Sequence, residues 1–182
     1  MSRLAVLGIG NVLMGDDAVG PHLVKLLEAR WRFPPEVEVV EAGTPGLDLA
    51  LRLSGLDALV VADAVRDRGA PGEIRLYDKA GILARPPVQA MSPHEPGLRE
   101  ALFTLEFAGG APGEVRLVGV IPDRVSSGVG LSPAVRQALP RGLEALLAEL
   151  RRLGAAFEER VPPLEPELWW ERPAPGRAGR PA

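Results

Sequence analysis

The chain contains no cysteine, which removes disulfides, thiolate metal sites and cysteine nucleophiles. Histidine is scarce: His22 and His94 are the only two in 182 residues, so any imidazole chemistry falls to one of them or both. No apolar run reaches the length of a membrane span, and the opening "MSRLAVLGIG" leads into a strand and glycines without a signal peptide's hydrophobic region and cleavage site. A cytoplasmic protein with no membrane partner is expected. Basic runs and aromatic-basic alternation are missing too. With 21 Lys and Arg against 24 Asp and Glu the net charge is −3, which argues against a nucleic-acid partner. There is no internal repeat.

What is present is ample material for one core, 46% apolar residues in a chain of single-domain length. Residues 1–160 are expected to form one α/β domain, with a monomer as the default state. From Val161 the composition changes to "VPPLEPELWWERPAPGRAGRPA", so residues 161–182 are expected to be a Pro/Arg-rich tail unable to build a core of its own. Its Trp169 and Trp170 are expected to strap onto the domain they follow.

"RLAVLG" (3–8), "VEVVEA" (37–42), "ALVVADAV" (58–65) and "EVRLVGVI" (114–121) are short, β-branched and nearly continuous in apolar residues, as strands covered on both faces are. "EIRLYD" (73–78) adds an edge-like strand. Helical spacing links Val19, Leu23, Leu26 and Leu27, then Leu98, Leu102 and Leu105. A last helix starts at Ser132-Pro133 and stops near Gly154, with Pro140 and Gly142 expected to kink it. This alternation predicts a three-layer αβα sandwich around a largely parallel, twisted sheet, with the site beyond the carboxyl ends of the strands.

"GIGNVLMGDDAVG" (8–20) is the most informative stretch. Gly8-x-Gly10 after a strand begins a dinucleotide fingerprint, and Glu41 ends the second strand where a ribose-binding acid would lie. Leu13 occupies the place of the third glycine, however, and Asp16 and Asp17 stand where a pyrophosphate would meet the helix amides. Two fixed anions repel a phosphate. One aspartate suffices to cap the helix; we give that role to Asp16 and place Asp17 toward the crevice.

Asp63 ends the run "ALVVAD", where its carboxylate either emerges at the same sheet edge or bonds the following turn. His94 lies in "MSPHEPG", where Ser92 and Glu95 are spaced as a capping box around Pro93. A histidine at a helix start disfavours the charged ring, leaving a nitrogen free for a metal. Asp17, Asp63 and His94 together offer two carboxylates and one imidazole, a donor set suited to nickel or zinc with coordination positions left open. His22 is expected at the surface or partly buried on its helix, turned away from Asp17.

These segments, taken in order, resemble the hydrogenase maturation endopeptidases that trim the large subunit of nickel-iron hydrogenases. The resemblance rests on "GIGNVLMGDDAVG", "EAGTPG" (41–46), "VVADAV", "SPHEPGL" and "LVGVIP" (117–122), and runs from residue 3 to about 153. It implies the family's three-layer sandwich, with Asp17, Asp63 and His94 as the metal-binding and catalytic set. Asp17 stands where many members carry glutamate. Gly43, Thr44 and Gly46 are implied to line the substrate cleft, and Gly8, Gly10, Asn11 and Asp16 to shape the loop. The implied substrate is a large-subunit precursor that brings its own nickel, other divalent metals being able to occupy the site in vitro. The implied reaction is one peptide cleavage releasing a C-terminal extension, with Asp17 as a metal ligand or as general base. A binding protein that recognises the nickel-loaded precursor without cutting it is the alternative.

Overall fold

The computed structural model describes residues 3–46, 48–84 and 95–172. A five-stranded sheet forms its centre, built from β1 (Leu4–Ile9), β3 (Val37–Gly43), β4 (Ala58–Ala64), β5 (Ile74–Asp78) and β6 (Glu114–Val120). Their order across the sheet is β3-β1-β4-β6-β5, and all neighbours are parallel except β5, which runs antiparallel to β6 at one margin. β1 and β4 are buried at every position, because helices cover both faces.

Strand alternation sorts the core into two clusters. Leu4, Val6, Val60, Ala62 and Ala64 face α1 (Val19–Arg30) and α5 (Pro133–Arg152). Ala5, Leu7, Ile9, Leu59, Val61 and Val65 face α2 (Leu49–Leu53), α3 (Lys79–Ala84) and α4 (Glu95–Ala108). This is the three-layer αβα sandwich expected from the alternation of strands and helices. A separate antiparallel pair, β2 (Trp31–Arg32) with β7 (Glu158–Glu159), joins the end of α1 to the chain after α5. At two residues a strand, it leaves no periodicity to detect. No described helix is long and apolar enough to cross a membrane.

α5 begins as its sequence indicates, with Ser132 Oγ accepting from the Val135 amide at 3.4 Å and Pro133 in the first turn. It then runs through Pro140 as one helix, Pro140 being on the exposed side. Gly142 serves the packing of α5 on α1: a Cβ there would lie 3.0 Å from a Leu23 methyl group.

The glycines at the start of the chain serve backbone packing. A Cβ on Gly8 would fall 2.5 Å from the Gly20 carbonyl oxygen, and one on Gly20 would fall 2.2 Å from that of Ile9 and 2.3 Å from that of Ala62. α1 therefore rests directly on the backbones of β1 and β4. Gly10 has φ +143° and a Cβ there would meet the Asp17 carbonyl at 1.8 Å, so only glycine makes this turn. Gly20→Ala should lower stability by about 2–3 kcal/mol, since both obstacles are backbone atoms that cannot swing aside. A denaturant midpoint equal to the unaltered protein's would contradict this packing.

Beyond α5 the described residues, up to Arg172, stay on the body. Residues 158–172 lie along α1, and Trp170 enters the same cluster as Leu23 and Val135. The tryptophan pair is thus strapped onto its own domain.

Candidate active site

β1 is where the direction of the topology reverses. The connection from β1 to β3 passes through α1 on one face, and that from β3 to β4 passes through α2 on the other. Between diverging connections of this kind the carboxyl ends of the central strands leave a crevice. Here the strands are β1 and β4, in register as Gly8 with Ala62.

Two buried carboxylates come to this edge. Asp63 follows Ala62 at the end of β4 and is 3% exposed; its Oδ1 accepts from the Ala64 amide at 2.8 Å. By alternation it shares the parity of Leu59, Val61 and Val65, the side covered by α4. Asp17 is also 3% exposed and lies in a short 3-10 turn, Gly15–Ala18, that leads into α1. Its Oδ2 accepts from the Asn11 amide at 2.8 Å, while Asn11 Oδ1 accepts from the Leu13 amide at 3.0 Å. Asn11 thereby shapes the loop and fixes Asp17 together. Gly20, in the first turn of α1, rests over both Ile9 and Ala62, which brings the Asp17 turn and the Asp63 strand end to the same place.

Asp16, adjacent to Asp17, has a different task. It is 1% exposed and does not cap the helix it precedes. Instead its Oδ1 accepts from the Ser132 amide at 2.6 Å, and its Oδ2 from the Asp123 and Arg124 amides and the Ser132 hydroxyl at 2.9, 2.8 and 2.8 Å. The expected cap is corrected accordingly: Asp16 ties the loop after β6 and the start of α5 to the 3-10 turn. His22 is corrected too, being 1% exposed and not at the surface. Its Nδ1 donates to the Ala18 carbonyl at 2.8 Å and its Nε2 lies 3.0 Å from Glu171 Oε1. Its side chain faces the strap.

The segment after β3 borders the crevice. Gly43 has φ +59° and nothing within 4 Å of a built Cβ, so glycine is required there by the left-handed turn and not by crowding. Thr44 and Gly46 are exposed. Pro45, Gly46, Ala50, Gly97, Glu100, Ala101 and Thr104 line a groove of about 360 Å³ between this segment and α4. His94 lies outside the described residues, as does Ser92 of the capping box; α4 is described from Glu95, the next residue in the chain. Among the described residues no three His, Asp or Glu side chains are grouped so as to hold a metal.

The loop after Asp63 is fastened to the margin of the sheet. Arg75 donates to the Arg68 carbonyl at 2.7 Å and to Glu73 Oε2 at 2.6 Å, and the Gly72 amide donates to the Ile121 carbonyl at 2.8 Å. The Ala70 amide, with the Arg75 guanidinium, holds the Glu73 carboxyl below the usual carboxylate range. At the opposite end of β6, Glu149 and Glu114 raise the Arg152 guanidinium above its ordinary value.

Sequence and structure comparisons agree on one kinship. The family model described as hydrogenase maturation protease matches residues 21–149. Hydrogenase 2 maturation protease of Escherichia coli is 38% identical over 153 residues, 84% of this chain and 93% of that protein. The hydrogenase expression/formation protein HoxM of Azotobacter vinelandii is 34% identical, over 87% of this chain and 77% of that protein. Among solved structures, the hydrogenase maturating endopeptidase HybD from E. coli superposes with a TM-score of 0.80 at 35% identity, covering 88% of this chain and 99% of that one.

Proposed function

The chain belongs to the hydrogenase maturation protease family and is a peptidase of hydrogenase maturation; from that premise we propose that it removes the C-terminal extension of a hydrogenase large-subunit precursor that already carries nickel. The observation that carries this is the pair of buried carboxylates, Asp17 and Asp63, brought to one sheet edge where β1 and β4 end. Buried acids at a crevice attract a cation and not a phosphate, and the nickel that would meet them arrives as part of the substrate. His94, next in the chain to the start of α4, is the proposed third ligand.

A metal held there supplies Lewis acidity to the scissile carbonyl or to a water. The residues of this chain do the rest. The Asn11 amide holds one oxygen of Asp17, which orients the carboxylate as a ligand or as general base toward the water. The groove between Pro45-Gly46 and Gly97-Ala101-Thr104 is lined by small side chains and by one acid, Glu100, and starts from the segment after β3; in this proposal it receives the precursor's tail, with Gly43 and Thr44 at its head. Because recognition requires nickel, cleavage waits until the metal has been inserted.

Mass spectrometry of the large-subunit precursor encoded in the same genome, incubated with this protein with and without nickel, tests this. Loss of one C-terminal peptide only from the nickel-loaded form is expected. A precursor cut equally well without nickel would overturn metal recognition. One bound in a nickel-dependent way yet never cut would make this a binding protein.

A further inference from the structure

We propose that the strap over residues 158–172 is a brace for the active site, in which Glu171 and Trp169 act as positioning residues for the two segments that border the crevice. The proposal rests on the cleavage reaction inferred above. The strap lies beyond residues 21–149, the span matched by the family model. It is anchored first at the far end of α1, where the Arg160 amide donates to the Arg30 carbonyl at 2.7 Å and the Leu164 amide to the Ala29 carbonyl at 2.9 Å. Arg160 Nε adds bonds to the carbonyls of Glu28 and Trp31 at 3.0 and 3.1 Å. The chain then follows α1 for roughly 10 Å toward its first turn, and its last turn, Trp169–Glu171, touches different groups.

Glu171 Oε1 meets His22 Nε2 at 3.0 Å, and His22 Nδ1 donates to the carbonyl of Ala18, the residue after Asp17. Trp170 is 7% exposed and stands edge-on to the His22 ring at 5.2 Å between centroids. Arg136, in the first turn of α5, approaches the same Glu171 oxygen at 3.7 Å. On the other side Trp169 Nε1 donates to Glu41 Oε2 at 3.1 Å. Glu41 pairs with Gly8 across the β3-β1 ladder, two residues before Gly43, whose carbonyl accepts from the Gly10 amide at 2.8 Å. One end of the brace therefore terminates beside Asp17 and the other beside the Gly43–Gly46 segment.

Packing alone does not account for this choice of residues. A buried histidine, with two ring nitrogens that each need a polar partner, is costly compared with a leucine of similar size. What the polar chain adds is direction: it fixes the Ala18 peptide, and so the turn that aims Asp17. Without Glu171, His22 Nε2 loses its partner and the ring is free to leave Ala18.

The test compares the full chain with Glu171→Ala, Glu171→Gln and Glu167→Ala, the last an exposed strap residue paired only with Arg172 among the described contacts. Two quantities are read: kcat and KM on the nickel-loaded precursor, and amide hydrogen exchange at Asn11 against that of β4. Glu171→Ala should lower kcat about tenfold with KM within twofold, as misaimed catalytic groups do, and should speed exchange at Asn11 while β4 stays protected. Glu171→Gln keeps the reach of the side chain and an amide that can donate to or accept from His22 Nε2, and should recover most of kcat; Glu167→Ala should match the unaltered protein. Unchanged kcat and Asn11 exchange in Glu171→Ala would overturn the brace, and so would equal losses in all three variants with β4 opening too. If the unaltered protein leaves the precursor intact, the cleavage proposal fails, and Asn11 exchange alone then decides whether Glu171 steadies the Asp17 turn.

Discussion

Asp16→Ala is expected to lower stability by roughly 3–5 kcal/mol, enough to move the thermal midpoint by about 10 °C or more in a domain of this size. The carboxylate is acceptor-only and receives four donors, three of them backbone amides, from the loop after β6 and the start of α5. Removing it strands the buried Ser132 amide, at about 1–3 kcal/mol for a buried donor left unpaired, and takes a charged acceptor, at about 1.5–3 kcal/mol for such a bond, from the part-buried Asp123 and Arg124 amides. It also releases the Ser132 hydroxyl that caps α5. Asp16→Asn should cost distinctly less, because one oxygen survives to serve the Oδ2 partners while the new amide group faces the Ser132 N–H. The measurement is a thermal or denaturant melt of both variants. An Asp16→Ala midpoint within 2 °C of the unaltered protein's would mean that the 3-10 turn does not depend on this clasp.

The sequence distinguishes two adjacent acids but does not disclose what the first one holds. Strands β1, β4 and β6 are legible because burial on both faces leaves nearly unbroken apolar runs, with Asp63 standing out as the acid in one of them, and β3, half-buried at the other margin, is legible from its valines. Asp17 is legible as an anion placed where a phosphate loop would need none. Asp16 is legible only as a surplus acid: its partners lie 107 to 116 positions further along the chain, and no local pattern connects them. A helix-start acid is ordinarily a cap, and the tertiary contact overrides that preference here. His22 is misjudged for the same reason. Its ring is met by the strap, by Trp170 edge-on and by Glu171 from 149 positions away, which no local pattern on α1 discloses. The composition of that strap, dense in proline, excludes an independent core but not attachment to an existing one, and Trp170 makes that attachment. α2 and α3 go unnoticed because five or six residues are too few for a helical period to register. His94 is legible only as a motif.

Asp17→Asn and Asp63→Asn are each expected to reduce precursor cleavage by at least ~100-fold, the range in which loss of a positioned acid-base group falls, while melting close to the unaltered protein. The substitution separates chemistry from folding. An asparagine oxygen still accepts from the Asn11 amide at position 17, and at position 63 still accepts from the Ala64 amide, so the local bonds persist while the negative charge is gone. Two carboxylates that serve one centre should also be non-additive: the double variant should be about as slow as the slower single one, because the second change removes what the first has already disabled. Multiplying losses would indicate separate tasks at separate places, contrary to the shared crevice at the ends of β1 and β4. Full activity in Asp17→Asn would be the more damaging result. The loop would then hold a buried carboxylate beside the crevice for stability alone, as Asp16 does, and the catalytic charge would have to come from Asp63 with His94.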